Sequence, residues 1–508
     1  MRDRSMVRAV VANYASFGVT TALSLVATPL LLRGLGTSAF GVLSLAIAIT
    51  NYLAVIELGV AAATTRKVAS ALATARPRSA RDILSANLLL SAIASFIVGL
   101  LVAGLLIVLG HVFNLAHQTS EARLVLLLTA PTQILAFFSS GYLALLSGLG
   151  RQASSLLLVS LVAQLTTICS IFLALRWHSP TAVAGAMLTG AAASAVVVRK
   201  MSRRISPGLQ PGRPFPPRPV VADLLRSGGQ NALASFGYLL GNASDLIIVG
   251  VIAETRAVAA YAVALRATGF IRTLASKMTD TLAPSFAYAR ALGEAERERR
   301  LFSETCFVAS CFAVPAGVLL TTHAEPILSA WLGSFDHRSA VVAGLLGAAL
   351  WGQVIGQAAY VALSATDRLR FLGITGCIAG TLNCVASVAL GLTWGISGPA
   401  IATLVTATVF EAIVLPVYIM RATGGDSRLF YYDTVGRQIP AMVVLLLIVL
   451  LVPFTSGLLL ATKLLCGVAA YSVVITLMAG SERRRRLLRL ARDSFGRRPA
   501  SPGVVQSG

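Results

Sequence analysis

The chain has 508 residues, of which 56% are hydrophobic and 12% charged, with a mean hydropathy of +0.79 and a formal net charge of +22. A soluble protein of this length carries about 25% charged residues, so the composition excludes an ordinary soluble globular domain. The basic residues lie between apolar runs rather than in an aromatic-interleaved basic domain, which excludes a nucleic-acid partner. The runs are continuous rather than alternating, which excludes a β-barrel.

In chain order the apolar runs predict membrane helices near 9–32, 38–63, 83–110, 124–148, 153–175, 181–198, 228–253, 257–283, 303–322, 341–364, 371–393, 397–420, 438–458 and 461–480. Each is about 20 residues or more, the length that crosses a hydrocarbon core while a helix satisfies its own backbone. The first run follows Arg2, Arg4 and Arg8 and is longer than a secretory h-region, so it reads as an uncleaved first span. With the N-terminus inside, the inside segments carry 33 Lys and Arg and the outside segments 6. That positive-inside bias places both termini in the cytoplasm. Lys463 and all five histidines (His111, His117, His178, His323 and His337) then fall in short outside segments, with no metal spacing. The six cysteines fall within apolar runs and read as small buried hydrophobes.

The inside segment 199–227 is rich in Arg and Pro (Pro207, Pro211, Pro214, Pro216, Pro217, Pro219) and reads as a linker, since proline at this density does not continue a helix. The run Arg483–Arg486, with Arg489 and Arg492, predicts a basic tail on the anionic cytoplasmic leaflet.

The two halves repeat. Ser16-Phe17-Gly18 recurs as Ser235-Phe236-Gly237, Thr37-Ser38-Ala39 as Thr255-Arg256-Ala257, and Leu146-Ser147 through Arg151 as Leu363-Ser364 through Arg368, at nearly constant offset. A repeat of six helices inserts twice with the same orientation, which implies a pseudo-two-fold axis along the membrane normal and alternating access between two bundles. The expected fold is therefore an all-α polytopic membrane protein of about 14 transmembrane helices. It divides into a six-helix bundle (1–198), the linker (199–227), a second six-helix bundle (228–420), two added helices (421–480) and the basic tail (481–508).

Charge inside a span is costly and is by default a functional signal. The eighth run carries Arg266, Arg272, Lys277 and Asp280. At 100° per residue Arg266, Phe270, Thr273, Lys277, Asp280 and Pro284 lie within about 40° of a common line, with Arg272 about 120° away. Arg266, Arg272 and Lys277 are candidate ligands for an anionic cargo, arginine through its planar fork of donors. Pairing of Lys277 with Asp280 at i, i+3 is the structural alternative. Glu57, Asp245, Asp280 and Glu411 are candidates for ion or proton coupling, or for pairing with those cations. Asn13, Asn51, Asn231, Asn242, Gln164, Gln353 and Gln357 are candidates for sugar hydroxyls or for interhelical bonds. No nucleotide-binding Gly-rich loop and no catalytic constellation occur, so neither an enzyme nor a cofactor is implied.

Several stretches carry a family resemblance. These are Leu35-Gly36-Thr37-Ser38-Ala39-Phe40-Gly41, then Glu57-Leu58-Gly59 and Arg66; Asp245-Leu246-Ile247-Ile248-Val249-Gly250 through Tyr261; Ile327-Leu328-Ser329-Ala330-Trp331-Leu332-Gly333; and Gly395-Ile396-Ser397-Gly398-Pro399-Ala400. Over its first twelve helices the chain resembles the polysaccharide-biosynthesis branch of the multidrug/oligosaccharidyl-lipid/polysaccharide exporter superfamily, the Wzx-like O-antigen flippases. The resemblance implies export of an undecaprenyl-pyrophosphate-linked oligosaccharide across a bacterial inner membrane, with a polymerase and other assembly proteins as partners. It also implies that cavity cations bind the pyrophosphate. Arg266 and Arg272 match the position of such cations in lipid-flipping relatives. Those relatives also carry arginines within the first helix, where this chain has only Arg33, at its end. A cation-coupled multidrug antiporter of the same superfamily and a membrane polysaccharide polymerase or ligase are the alternatives.

Overall fold

A computed structural model describes residues 2–57, 59–74, 76–211, 215–334, 336–366, 368–452 and 457–478. The basic tail therefore lies outside the described residues. The helices in order are α1 (Arg2–Leu35), α2 (Thr37–Leu53), α3 (Val60–Ala73), α4 (Pro77–Val112), α5 (Thr119–Gly148), α6 (Gln152–Trp177), α7 (Pro180–Ile205), α8 (Arg218–Ile252), α9 (Thr255–Asp280), α10 (Ala283–Ala291), α11 (Ala295–Leu332), α12 (His337–Ala365), α13 (Leu369–Trp394), α14 (Ser397–Thr406), α15 (Leu415–Ala422), α16 (Ser427–Thr434), α17 (Ile439–Leu451) and α18 (Gly457–Met478). Among the described residues thirteen helical segments are long and apolar enough to span a membrane, and α8, bent by 44° between Ala232–Gly241 and Ala243–Ile252, makes fourteen if it counts as one span.

Turn chemistry explains the short connections. Gly36, at φ +78°, joins α1 to α2 with a single residue, a backbone region that costs glycine nothing. Asp336 caps α12 by accepting from the Arg338 amide at 2.9 Å, and the hydrogen bond from the Arg338 side chain holds its carboxyl below the ordinary range. Ser179 caps α7 and Asp426 caps α16 in the same way, relieving orphan amides at helix starts. The connection between bundles is shorter than the Pro-rich segment suggests, because α7 runs on to Ile205 and α8 begins at Arg218.

The same neighbours recur in each half. In the first, α1 packs on α6, α2 on α5, α4 on α5, and α6 and α5 on α7. In the second, α8 packs on α13, α9 on α12, α11 on α12, and α13 and α12 on α14. These are two like six-helix bundles, with α16–α18 added against α11.

The apolar core shows how the bundles meet. We call the face where α1 ends the distal face and the opposite one proximal. One continuous core runs through the distal ends of both bundles, from Leu31, Phe40, Leu43 and Phe113 across to Val249, Tyr261, Leu328 and Val342. The proximal ends have separate main cores, one around Val68, Leu84 and Leu145 and the other around Phe286, Phe302, Leu363 and Ile419, linked by a small cluster of Val60, Ala63 and Ala86 with Leu224 of α8. Residues Ala257 through Ala264 of α9 are all buried, as a helix apolar on every side must be when it sits at the junction.

Polar contacts reinforce the distal seam. Ser38, Gln118 and Thr255 form a hydrogen-bonded trio, Arg33 donates to the Leu332 carbonyl at 3.3 Å, and the Trp331 indole donates to the Leu25 carbonyl at 3.0 Å. Proximally the bundles touch where α3 lies along α8, with Lys67 paired to Asp223 at 2.5 Å. On the α1–α9 side Gly18, Val19 and Thr20 of α1 and Thr273 and Lys277 of α9 are exposed, which we read as a cleft toward the proximal face.

Four positions differ from the sequence reading. His323 and Lys463 lie within long helices rather than in loops. Helix α11 continues past Pro326 with its kink at His323, and Lys463 is buried in α18, 3.1 Å from the His323 ring. Cys169 and Cys466 lie on the outward surface, and Cys306 alone of the six is fully buried.

A Cβ added at Gly41 would stand 1.9 Å from the Thr255 carbonyl oxygen, whereas one at Gly18 meets nothing within 4 Å. Gly41→Ala is expected to cost about 1–3 kcal/mol by overpacking the seam and to lower the melting temperature of the purified protein. Gly18→Ala, the control, leaves it within error. Equal melting of the two variants would contradict the seam.

Candidate functional site

Three structural features organise the polar residues of the spans. The first is a cavity of about 510 Å³ inside the second bundle, between α8, α9, α12, α13 and the π-helical stretch Ala407–Val414 that joins α14 to α15. Its lining includes Arg272, Lys277, Gln353, Gln357, Tyr360 and Glu411. Glu411 sits on the π turn and faces Arg272 electrostatically, and Gly356 leaves room for it, since a Cβ there would meet the Glu411 side chain at 2.7 Å. Gln357 donates to Ser276 at 3.2 Å. The formal balance of these charged lining residues is two cations against one anion.

The second feature is Arg266. Its guanidinium donates to Thr28 at 3.2 Å and stacks over the Phe40 ring at 4.8 Å, so it bridges α9 to α1 and α2. It does not line the cavity. Helix geometry explains the division. Arg266, Thr273 and Lys277 share the face of α9 that looks toward the first bundle, and Lys277 lies 6.0 Å from the Phe17 ring of α1. Leu265, Gly269, Arg272 and Ser276 share the face turned into the second bundle, and Thr273 and Lys277, at the boundary between the two faces, also line its cavity. Along the common face the contact with the first bundle is close at Arg266 and looser at Lys277, which is exposed and about 16 Å away at 1.5 Å per residue. Arg266 thus stands at the apex of the cleft. Asp280, at the exposed proximal end of α9, bonds to Ser276 and lies within electrostatic reach of Lys277.

The third feature is Asp245, which is buried and accepts from Tyr261 at 2.9 Å, Thr403 at 2.6 Å, Asn383 at 3.1 Å and Ser387 at 3.4 Å. Four donors from α9, α13 and α14 converge on one carboxylate of α8. It forms no ion pair with a helix α9 cation among the described residues.

The sequence candidates therefore divide. Arg272, Lys277, Gln353, Gln357 and Glu411 come together in the cavity, Arg266 lies at the junction, and Asp245 has its own cage. Glu57 lies apart in the first bundle, bonded to Ser91 and Ser140. Gln164 donates to Thr20, an interhelical bond within the first bundle. The side chains of Asn13, Asn231 and Asn242 lie outside the described residues. Asn383, Ser387 and Thr403 were not singled out from sequence, although Asn383 and Ser387 stand at i, i+4 in one apolar run, the spacing of a shared helix face.

The comparisons accord with this architecture. A family model described as "Polysaccharide biosynthesis protein" matches residues 6–289. The chain belongs to the polysaccharide biosynthesis protein family. A relative of this family member, the "Uncharacterized membrane protein EpsK" of Bacillus subtilis (strain 168), is 23% identical over 433 residues, 84% of this chain and 85% of EpsK. Among solved structures, the lipid II flippase MurJ in an inward closed conformation aligns with TM-score 0.74 at 15% identity, covering 95% of this chain and all of that one. An inward-facing multidrug resistance MATE family transporter of the MOP superfamily aligns with TM-score 0.64 at 15% identity, over 80% and 94% of the two chains. A MOP superfamily transporter from Pyrococcus furiosus, described as having a reverse polarity of its binding pocket, aligns with TM-score 0.60 at 14% identity, over 82% and 95%. These likenesses give the fold. The family member is a multi-pass membrane protein of a transporter fold, and the alternative of a polymerase or ligase has no support in them.

The Asp245 cage makes a stability prediction. Asp245→Leu strands four donors, at about 1–3 kcal/mol for each that stays buried and unpaired, so the variant is expected to melt far below the parent. Asp245→Asn keeps one acceptor oxygen and is expected to fall between the two. The order in thermal melts of the detergent-purified proteins checks this, and a Leu variant as stable as the parent contradicts it.

Proposed function

We propose that this protein translocates a lipid-linked oligosaccharide with a pyrophosphate linkage from the cytoplasmic to the outer leaflet of a bacterial inner membrane, for surface polysaccharide biosynthesis. The observation that carries the reading is the placement of cations along one cleft. Arg266 stands at the closed apex, with Lys277 on the same helix face and Arg272 in the adjoining cavity. The 33-to-6 bias of basic residues makes the proximal face cytoplasmic, so the cleft opens toward the leaflet where such a cargo is assembled. The anionic headgroup enters there, and Lys277 meets it first. Arg266 then binds it with a geometry suited to phosphate. Gln353, Gln357 and Tyr360 present amide and hydroxyl groups to the sugar. Opening of the distal seam and closure of the proximal cleft complete one alternating-access cycle. The basic tail is held at the anionic inner leaflet, and a polymerase acting on the delivered cargo is the expected partner.

A cation-coupled drug antiporter fits less well, because the charged groups lining the cavity are two cations against Glu411. A cationic drug would meet net repulsion there.

The test uses vesicles reconstituted with the full chain and an undecaprenyl-pyrophosphate oligosaccharide, read by a leaflet-resolved probe. Arg266→Ala is expected to slow translocation about 10- to 100-fold, the equivalent of a charge-assisted hydrogen bond of about 1.5–3 kcal/mol, and Arg272→Ala combined with Lys277→Ala to weaken cargo binding. Unimpaired translocation by Arg266→Ala would remove the binding role.

A further inference from the structure

The first bundle holds a second acid, half-buried, whose surroundings differ from those of Asp245 in one countable respect. Glu57 ends the 3-10 turn Ala54–Glu57 that closes α2, just before Gly59 at φ +92°. Its Oε1 is within hydrogen-bond reach of Ser140 Oγ and lies 3.4 Å from Ser91 Oγ. Both hydroxyls also reach the Phe137 carbonyl, Ser140 at 2.8 Å and Ser91 at 3.1 Å. Each serine has one hydrogen to give. The Ser91 hydrogen belongs to Phe137, the closer acceptor, so at most one remains for a Glu57 carboxylate.

The pocket is short of hydrogens in another place too. Asn87, one turn from Ser91 on α4, is fully buried, and its amide nitrogen donates to Thr64 at 3.0 Å. Its Oδ1, packed against Gly141 beside Ser140, has no partner. Asp245 is the opposite case. Among the described residues the hydroxyls of Tyr261, Ser387 and Thr403 each have Asp245 as their acceptor, and Asn383 adds an amide hydrogen. One cage is built around a carboxylate and the other around an acid.

We infer that Glu57, Ser91 and Ser140 form a proton-binding site, occupied by a proton on Glu57 in the distally closed conformation. The acid hydrogen is donated to Ser140 Oγ, which frees the Ser140 hydrogen for the Phe137 carbonyl and satisfies every group in the chain of bonds. Release breaks the Glu57 O–H bond, leaves its electron pair on the carboxylate and gives the proton to water in the cleft. The carboxylate then takes the Ser140 hydrogen away from Phe137. The distal half of α2, Phe40 through Ile49, is part of the shared core, so occupancy of Glu57 at its proximal end bears on the helix that forms the seam.

The charged and titratable side chains in the proximal parts of the elements around Glu57 include Tyr52 on α2, Arg66 and Lys67 on α3, Arg78, Arg81 and Asp82 on α4, Tyr142 on α5, and Arg218, Asp223 and Arg226 on α8. Lys67 and Asp223 pair with each other, and among the described residues none of these makes an ion pair with Glu57. That protonation drives transport rests on the proposed function, whereas protonation itself does not.

The experiment is infrared spectroscopy of the full chain in lipid nanodiscs at neutral pH, with and without carbon-13-labelled glutamate. The expected result is a protonated-carboxyl band that shifts with the label, vanishes in Glu57→Gln, changes frequency in Ser140→Ala and persists in Asp245→Asn. Absence of a label-sensitive band, or a band removed by Glu411→Gln instead, overturns the inference. Ser140→Ala and the labelled parent protein keep the test valid if Glu57→Gln does not fold. In reconstituted vesicles Glu57→Gln is expected to abolish the dependence of cargo translocation on an imposed pH gradient, and an unchanged dependence likewise overturns it. Failure of the parent to move any lipid-linked sugar would count against the proposed function and leave the spectroscopic result standing.

Discussion

The distal core fixes what the rest of the molecule can do. Two six-helix bundles share one large continuous apolar cluster at that face, whereas at the other their main cores are separate and a small cluster around Leu224 of α8 is what joins them. In lipid, apolar surface gains nothing by leaving the bilayer for another helix, so close approach and dispersion decide where bundles join. Small residues permit that approach here. Gly41 lies against the Thr255 backbone, and Gly250 against the Leu45 and Phe113 side chains. Because the seam is made at one end, a cleft must open at the other wherever no second seam forms. Interfaces of this kind are bistable rather than continuously deformable, which is why a packing fact becomes a statement about access.

The charges follow from the same geometry. A cation in a span is tolerated where it meets a partner, a cavity or water. Arg266 meets Thr28 and Phe40 at the apex, Arg272 meets the cavity and Glu411, and Lys277 meets the cleft, where it is exposed. Asp245 and Glu298 are the buried acids with complete sets of partners. Glu298 is paired with Arg368 at 2.9 Å and is 2% exposed, which ties α11 to the start of α13 at the proximal end of the second bundle.

Much of this was legible in the sequence. The fourteen runs, the repeat at constant offset and the concentration of charge in α9 depend on period and composition, which the bilayer enforces residue by residue. The angular relation among Arg266, Thr273 and Lys277 was also readable, since it needs only the helical period. What period does not encode is depth along the seam, and that separates Arg266 from Lys277 although they share a face. The cage of Asp245 and the pocket of Glu57 escaped for a related reason. Their hydroxyls come from α4, α5, α9, α13 and α14, and a serine or threonine in an apolar run usually bonds its own helix, as Ser95 and Thr166 do. The kinked continuation of α11 through His323 and Pro326 was missed because a proline in a span reads as a stop, whereas neighbouring helices support the freed backbone.

The central claim is that the α1–α9 side of the bundle interface is closed at one face at a time. Pulsed dipolar spectroscopy on the full chain in nanodiscs tests it directly, with spin labels at His117 and Thr393 on the distal face and at Leu156 and Arg290 on the proximal face. The account predicts a single short distal distance with a long proximal one in the resting protein, and a second population, distal longer and proximal shorter, when lipid-linked oligosaccharide is added. Distances that lengthen or shorten together at both faces, or a distal distance that never changes with cargo, would contradict it.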